Sequence, residues 1–132
     1  MLNTEKYIQI PYKSHGRDFD GCDCWGLVKL ILKKEFNKEL PSYAKDYSDC
    51  ENGSEVNGLI NKYQPLVAGI EKKSPEPGDV AVFKYCGKLC HVGLYVGNNK
   101  VLHILRKSQF SVCERLDSPY LKGRLEGFYE VG

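Results

Sequence analysis

The sequence predicts an α+β domain in which an N-terminal helix packs on an antiparallel sheet of five to six strands. Three observations carry this reading. Apolar residues recur at helical spacing in the first half of the chain, and they alternate at strand spacing after Pro75. Turns of a few residues separate the later segments, which argues for an antiparallel meander. A chain of 132 residues, 42% of them hydrophobic and 27% charged, is long enough to bury one core and reads as a single domain, 1–132.

Residues Met1 to Gly16 form a short lead-in whose apolar members are Ile8, Ile10 and Tyr12. From Gly16 to Gly21 the chain carries Arg17, Asp18 and Asp20 and reads as a turn-rich loop. The helix follows over Asp23 to Glu35. Cys24, Leu27, Val28 and Ile31 share one stripe, and Lys29, Lys33 and Lys34 fall mostly on the other side. Asp23 is a good N-cap, because its carboxylate accepts amide hydrogens of the first turn. The lysines near the far end suit the helix dipole. Pro41 to Asp49 reads as irregular. A second helix is expected from Glu55 to Tyr63, capped by Ser54 and limited by Pro65. After the turn Pro75 to Asp79, strands are expected at Val80 to Tyr85, His91 to Val96, Val101 to Leu105, Ser111 to Arg115 and Gly127 to Val131.

The net charge of +2 is too small, and the lysines too scattered, to argue for nucleic acid. No apolar run reaches membrane-spanning length, and Met1 to Ile10 holds no signal-peptide core. The expectation is a chain made in the cytoplasm, or a domain cut from a larger protein, with no membrane insertion. Reduced thiols are then the default for Cys22, Cys24, Cys50, Cys86, Cys90 and Cys113.

Cys24 is the candidate nucleophile. A thiol in the first turn of a helix feels the positive end of the dipole, which favours the thiolate. Cysteine hydrolysis also needs an imidazole to pair with the thiol and a group to orient that imidazole. His15 sits in a polar loop with no derivable partner arrangement. His91 opens an alternating strand with Gly93 and Tyr95 on its face, and His103 lies inside the next strand among apolar residues. A two-residue turn at Asn98-Asn99 would set His103 opposite Leu94, away from His91. A three-residue loop over Gly97, Asn98 and Asn99 sets it opposite Gly93, on the face of His91. The second register is expected, because it brings the two rings within reach of each other.

Tyr12-Lys-Ser-His-Gly, Gly21-Cys-Asp-Cys-Trp-Gly, Pro77-Gly-Asp-Val, His91-Val-Gly-Leu-Tyr-Val-Gly and Leu102-His, in this order, resemble the NlpC family of cell-wall cysteine peptidases, which includes the p-sixty proteins. The resemblance implies a papain-like fold, with Cys24 as nucleophile, His91 as base and His103 as the third polar residue. It matches Tyr12 to a tyrosine beside the nucleophile and Asp23 to the aspartate before it, and it sets Trp25 at the cleft. Tyr12, Asp23 and Trp25 are the expected substrate-binding residues. The implied partner is a peptide stem of bacterial peptidoglycan, with no metal and no cofactor. The run from Gly16 to Val28 looks most like the branch found in tail-tip assembly proteins of tailed phages, which implies phage tail proteins as further partners and a place in the virion tail. Pro119-Tyr120 and Arg124 to Phe128 are similar to that branch too. Trp25 and His15 depart from the family pattern, which carries a small residue, usually serine, and a glycine there.

Alternatives stay open beside this reading. Cys22 with Cys24, and Cys86 with Cys90 and His91, contain zinc-ligand residue types, although the first spacing is tight for a structural site. An acyltransferase would use the same nucleophile with an amine or alcohol in place of water. A tail or scaffold protein would carry the site as a vestige.

Overall fold

The computed structural model describes residues 4–39, 71–72, 74–85 and 88–130. The expected helix from Glu55 to Tyr63 and the irregular stretch from Pro41 to Asp49 lie outside the described residues. Among the described residues, no helix is long and apolar enough to cross a membrane.

Helix α1 spans Cys24–Phe36 and starts at the expected cap. The Asp23 backbone is extended, and its side chain accepts from the Gly26 amide at 2.9 Å. The helix stops at Asn37, whose left-handed backbone (φ 53°, ψ 39°) asparagine adopts more readily than most residues. Leu27, Val28, Leu30, Ile31 and Leu32 are buried along it. The loop expected from Gly16 to Gly21 is instead a small antiparallel hairpin, β1 (Arg17–Asp18) with β2 (Gly21–Cys22). Strands of two residues are too short to leave a periodicity in sequence.

The main sheet holds β3 (Glu71–Lys72), β4 (Val80–Tyr85), β5 (Lys88–Gly97), β6 (Lys100–His103), β7 (Val112–Arg115) and β8 (Leu125–Tyr129). Their order is β3-β8-β4-β5-β6-β7, antiparallel throughout. The meander therefore holds only from β4 to β7. The chain then turns back through residues 116–124 and lays β8 along the open edge of β4, pairing Val80 with Tyr129 and Phe83 with Leu125. A bare edge beside the buried residues Val80, Val82 and Phe83 would leave backbone donors and acceptors unpaired, and β8 satisfies them. Strand β6 ends at His103, two residues earlier than expected. Ile104 and Leu105 stay buried outside the ladder.

The sheet has two apolar faces. Val80, Val82, Val92, Leu94, Leu102 and Tyr129 form one core with α1. Ala81, Phe83, Val101 and Phe128 form a second with Leu121. The lead-in is tied down as well. The buried Ser111 hydroxyl donates to the Tyr7 carbonyl at 2.6 Å and accepts from the Ile10 amide at 2.8 Å.

Close backbone approach seats the α1 N-terminus on the segment before it. A Cβ on Gly26 would collide with the Gly16 carbonyl oxygen and lie 3.0 Å from Arg17 Nη1. The Gly26→Ala variant is therefore expected to lose about 1–3 kcal/mol, the usual cost of overpacking. Urea unfolding should show this as a lower midpoint at unchanged m-value.

Candidate active site

The site grows from two separately built clusters. The first surrounds the start of α1. Asp23 is fully buried, and its Oδ1 accepts from the Gly26 amide and from Arg17 Nη1, the latter at 2.8 Å. Its Oδ2 accepts from the His15 amide at 3.0 Å. Arg17 also donates to the Gly16 carbonyl at 2.8 Å. One carboxylate thus joins the helix cap, the hairpin and the loop before it. His15 pays a conformational strain for its place here, with φ at 63°. The left-handed region is one that glycine takes freely and a residue with a Cβ rarely does.

Cys24 opens the helix and is 3% exposed. Tyr12 bridges to Cys22 through the backbone, and Lys13 donates to the Cys22 carbonyl at 2.9 Å. This sets Tyr12, half-buried, alongside the segment that leads into Cys24. Trp25 is half-buried at the edge of the core. The Cys22 thiol donates to the Asp18 carbonyl at 3.1 Å. Burial, with the charges of Asp23 and Asp18, pushes its pKa up to about 12, so Cys22 remains a thiol at neutral pH. Burial also raises the pKa of Cys113.

The second cluster lies on the sheet. Leu94 pairs with Leu102 and Tyr95 with Val101, a register that sets His103 across from Gly93 as expected. The turn is the two-residue Asn98-Asn99, however, with φ of 55° and 62° at its two positions. The pairing closes at Gly97 with Lys100, and an irregularity between Tyr95 and Gly97 shifts it by one residue. A bulge, and not a three-residue loop, thus supplies the extra residue that this register needs. His91 Nε2 lies 3.0 Å from His103 Nδ1, with the ring planes at 70°. Gly93 makes room for the pair, because a Cβ there would lie 3.1 Å from the Cβ of His103. Phe83 packs against the His91 ring at 5.5 Å between centroids.

His91 is 3% exposed and His103 1%. Burial holds the pKa of His91 well below the ordinary histidine value, and the neighbouring His103 pushes it the same way. Burial also lowers the pKa of His103, while Glu114 acts in the opposite sense. Glu114 is the residue that sequence reasoning missed. Its Oε1 lies 2.7 Å from His103 Nε2, extending the pair into a chain of three. In β7 it pairs with Val101, and His103 pairs with Val112, so Glu114 and His103 are diagonal neighbours on one face. Val112, Cys113, Glu114 and Arg115 alternate neither in polarity nor in burial, so the strand's own sequence gives no signal for that face. The register depends on residues 104–111, which contain a short 3-10 turn outside any hairpin rule.

The sequence model of the NlpC/P60 family matches residues 9–130. The chain belongs to the NlpC/P60 family. It is 27% identical over 115 residues to the murein DD-endopeptidase MepS/murein LD-carboxypeptidase of Escherichia coli K12, covering 87% of this chain and 52% of that protein. It is 28% identical over 133 residues to a gamma-DL-glutamyl hydrolase of Bacillus subtilis strain 168, covering 96% of this chain and 27% of that protein. The chain thus spans about half or less of these relatives. The fold of an NlpC/P60 family protein from Bacillus cereus superposes with a TM-score of 0.67 at 21% identity, covering 95% of this chain and 36% of that one.

Two expectations follow from this burial pattern. Both imidazoles have folded-state pKa values below the unfolded value of about 6.5. The unfolded chain binds more protons as pH falls through that value, so stability present above it is lost below it. The thermal midpoint should fall between pH 7 and pH 5, and a His91→Gln/His103→Gln protein should show a flatter profile. Separately, Asp23→Ala leaves Arg17 and two amides without their shared acceptor and should cost about 3–5 kcal/mol, the range for breaking a buried ion pair. Asp23→Asn, which keeps an acceptor, should cost less. Chemical denaturation of both variants checks the order.

Proposed function

We propose that this NlpC/P60 protein is a cysteine hydrolase that cleaves amide bonds in the peptide stems of bacterial peptidoglycan, with Cys24 as nucleophile, His91 as general base and His103 as its orienting partner. The observation that carries the reading is the buried His91–His103 contact of 3.0 Å in a family member whose helix α1 begins at a cysteine. Helix α1 packs chiefly on β5, the strand of His91. Strand β6 is paired with β5 from Leu94 to Gly97, so the edge of β5 at His91 lies beyond that pairing. In this reading, the start of α1 meets His91 at that edge.

His91 Nε2 is engaged with His103, and Nδ1 is the nitrogen that takes the thiol proton. Burial keeps His91 neutral at pH 7, the form that can accept it. Cys24 Sγ attacks the carbonyl carbon, an S–C bond forms, and the carbonyl π electrons move to oxygen. The Cys24 amide, at the positive end of α1, stabilises that oxyanion. Collapse breaks the C–N bond, and His91 returns its proton to the departing amine. Water, deprotonated by the same ring, then cleaves the thioester to a carboxylic acid and free thiol.

The names of the relatives support a cell-wall peptide as substrate, because MepS is a murein endopeptidase and the Bacillus subtilis protein a gamma-DL-glutamyl hydrolase. The tail-tip role rests on the run from Gly16 to Val28 and is part of this proposal. Detection of the chain in purified virions would support it.

Incubation with purified peptidoglycan, followed by mass spectrometry, should release stem-peptide fragments. Cys24→Ala should abolish release, and His91→Ala should lower kcat by about 10²–10⁴-fold, the usual contribution of a general base. If products form only when an amine acceptor is supplied, the chain is an acyltransferase. In site-mapped iodoacetamide labelling at neutral pH, Cys24 should react before Cys22 and Cys113, whose pKa values are raised, and should lose that lead in His91→Ala. Uniform labelling of all thiols would end the nucleophile assignment.

A further inference from the structure

The carboxylate at the end of the imidazole chain does more than pair with it. We infer that Glu114 is a positioning residue that sets the tautomers of both His103 and His91, and so determines which nitrogen of His91 is offered to the nucleophile. This rests on the reading of His91 as the base.

Donors and acceptors along the chain of contacts fix every proton. A carboxylate only accepts, so the 2.7 Å contact places the His103 proton on Nε2. A neutral imidazole carries one N–H, which leaves His103 Nδ1 as an acceptor. The 3.0 Å contact must then be donated by His91 Nε2. His91 in turn has its lone pair on Nδ1, the form able to take a thiol proton. With both rings buried, neither nitrogen of the shared contact can exchange partners with bulk water. The direction of the whole chain therefore follows from its outer end. Without a carboxylate, the reversed arrangement, with Nδ1–H on both rings, satisfies the His91–His103 contact equally well and disables the base.

The same chain receives charge. When His91 becomes an imidazolium, its Nε2–H still donates to His103, and the Glu114 carboxylate offsets the added positive charge in a poorly solvated setting. Glu114 holds this place from a partly exposed position, its side chain 28% accessible, so replacing it need not disturb the core.

The test is long-range ¹H–¹⁵N correlation NMR of protein labelled at histidine, on wild type and Glu114→Gln, beside the rate of Cys24 alkylation. In wild type both rings should carry the proton on Nε2. In Glu114→Gln, whose amide can donate as well as accept, Nδ1–H forms should appear on both rings. Cys24 alkylation at neutral pH should fall on the order of tenfold to a hundredfold, as for a misplaced catalytic group, with an unchanged unfolding midpoint. An Nδ1–H tautomer at His91 or His103 in wild type would overturn the inference without any variant. So would a Glu114→Gln protein with unchanged tautomers and alkylation rate. If the tautomers shift as expected but His91→Ala leaves Cys24 reactivity intact, the base assignment fails while tautomer control by Glu114 stands.

Discussion

Three donors from three stretches of chain converge on the Asp23 carboxylate: the Gly26 amide, the His15 amide and the Arg17 guanidinium. A carboxylate this deeply buried is tolerated only when its charge and lone pairs are met, and these groups meet them. The helix start, the hairpin and the preceding loop therefore cannot move independently. Cys24 is the next residue, so its backbone inherits that constraint. His15, whose amide donates to Asp23, is itself held in the left-handed region within the same arrangement.

A second constraint acts within the sheet. The left-handed Asn98-Asn99 pair suits the twist of a two-residue hairpin. Continued without irregularity, that turn would place His103 across from Leu94, on the wrong face. One extra residue before Gly97 reverses the side-chain alternation and brings His103 over Gly93. From there the contacts continue to Glu114, so three successive strands, β5, β6 and β7, each contribute one member of the chain. Burial keeps its two imidazoles neutral, and the carboxylate at the rim gives it a direction. The proposed nucleophile and the proposed base are thus held by different devices, a capped helix and a bulged ladder. The NlpC/P60 family membership fits both, since the matched region runs from the lead-in strand bridge through β8.

Much of this was legible in the residues themselves. The cap at Asp23, the stripe of α1 and the existence of β4 to β7 follow from local rules (capping chemistry, a period of 3.6, a period of 2), whereas the common face of His91 and His103 depends on the bulge. The motif order around Cys24 and His91 pointed to the family for the same reason, because those motifs are contiguous in sequence. Local rules could not place β8 beside β4, since nothing in Leu125–Tyr129 names the strand whose edge it covers. Nor could they see that Arg17 is drawn in beside Asp23, or that Glu114 reaches His103. Each of those contacts depends on where a returning chain is set down. Residue pattern alone was enough for the start and stripe of α1, for the strands β4 to β7 and for the residue types with the chemistry to act, because each of these depends on neighbours along the chain. The crossover, the bulge and the Glu114 contact came from packing in three dimensions, because each satisfies backbone and buried polar groups between segments distant along the chain.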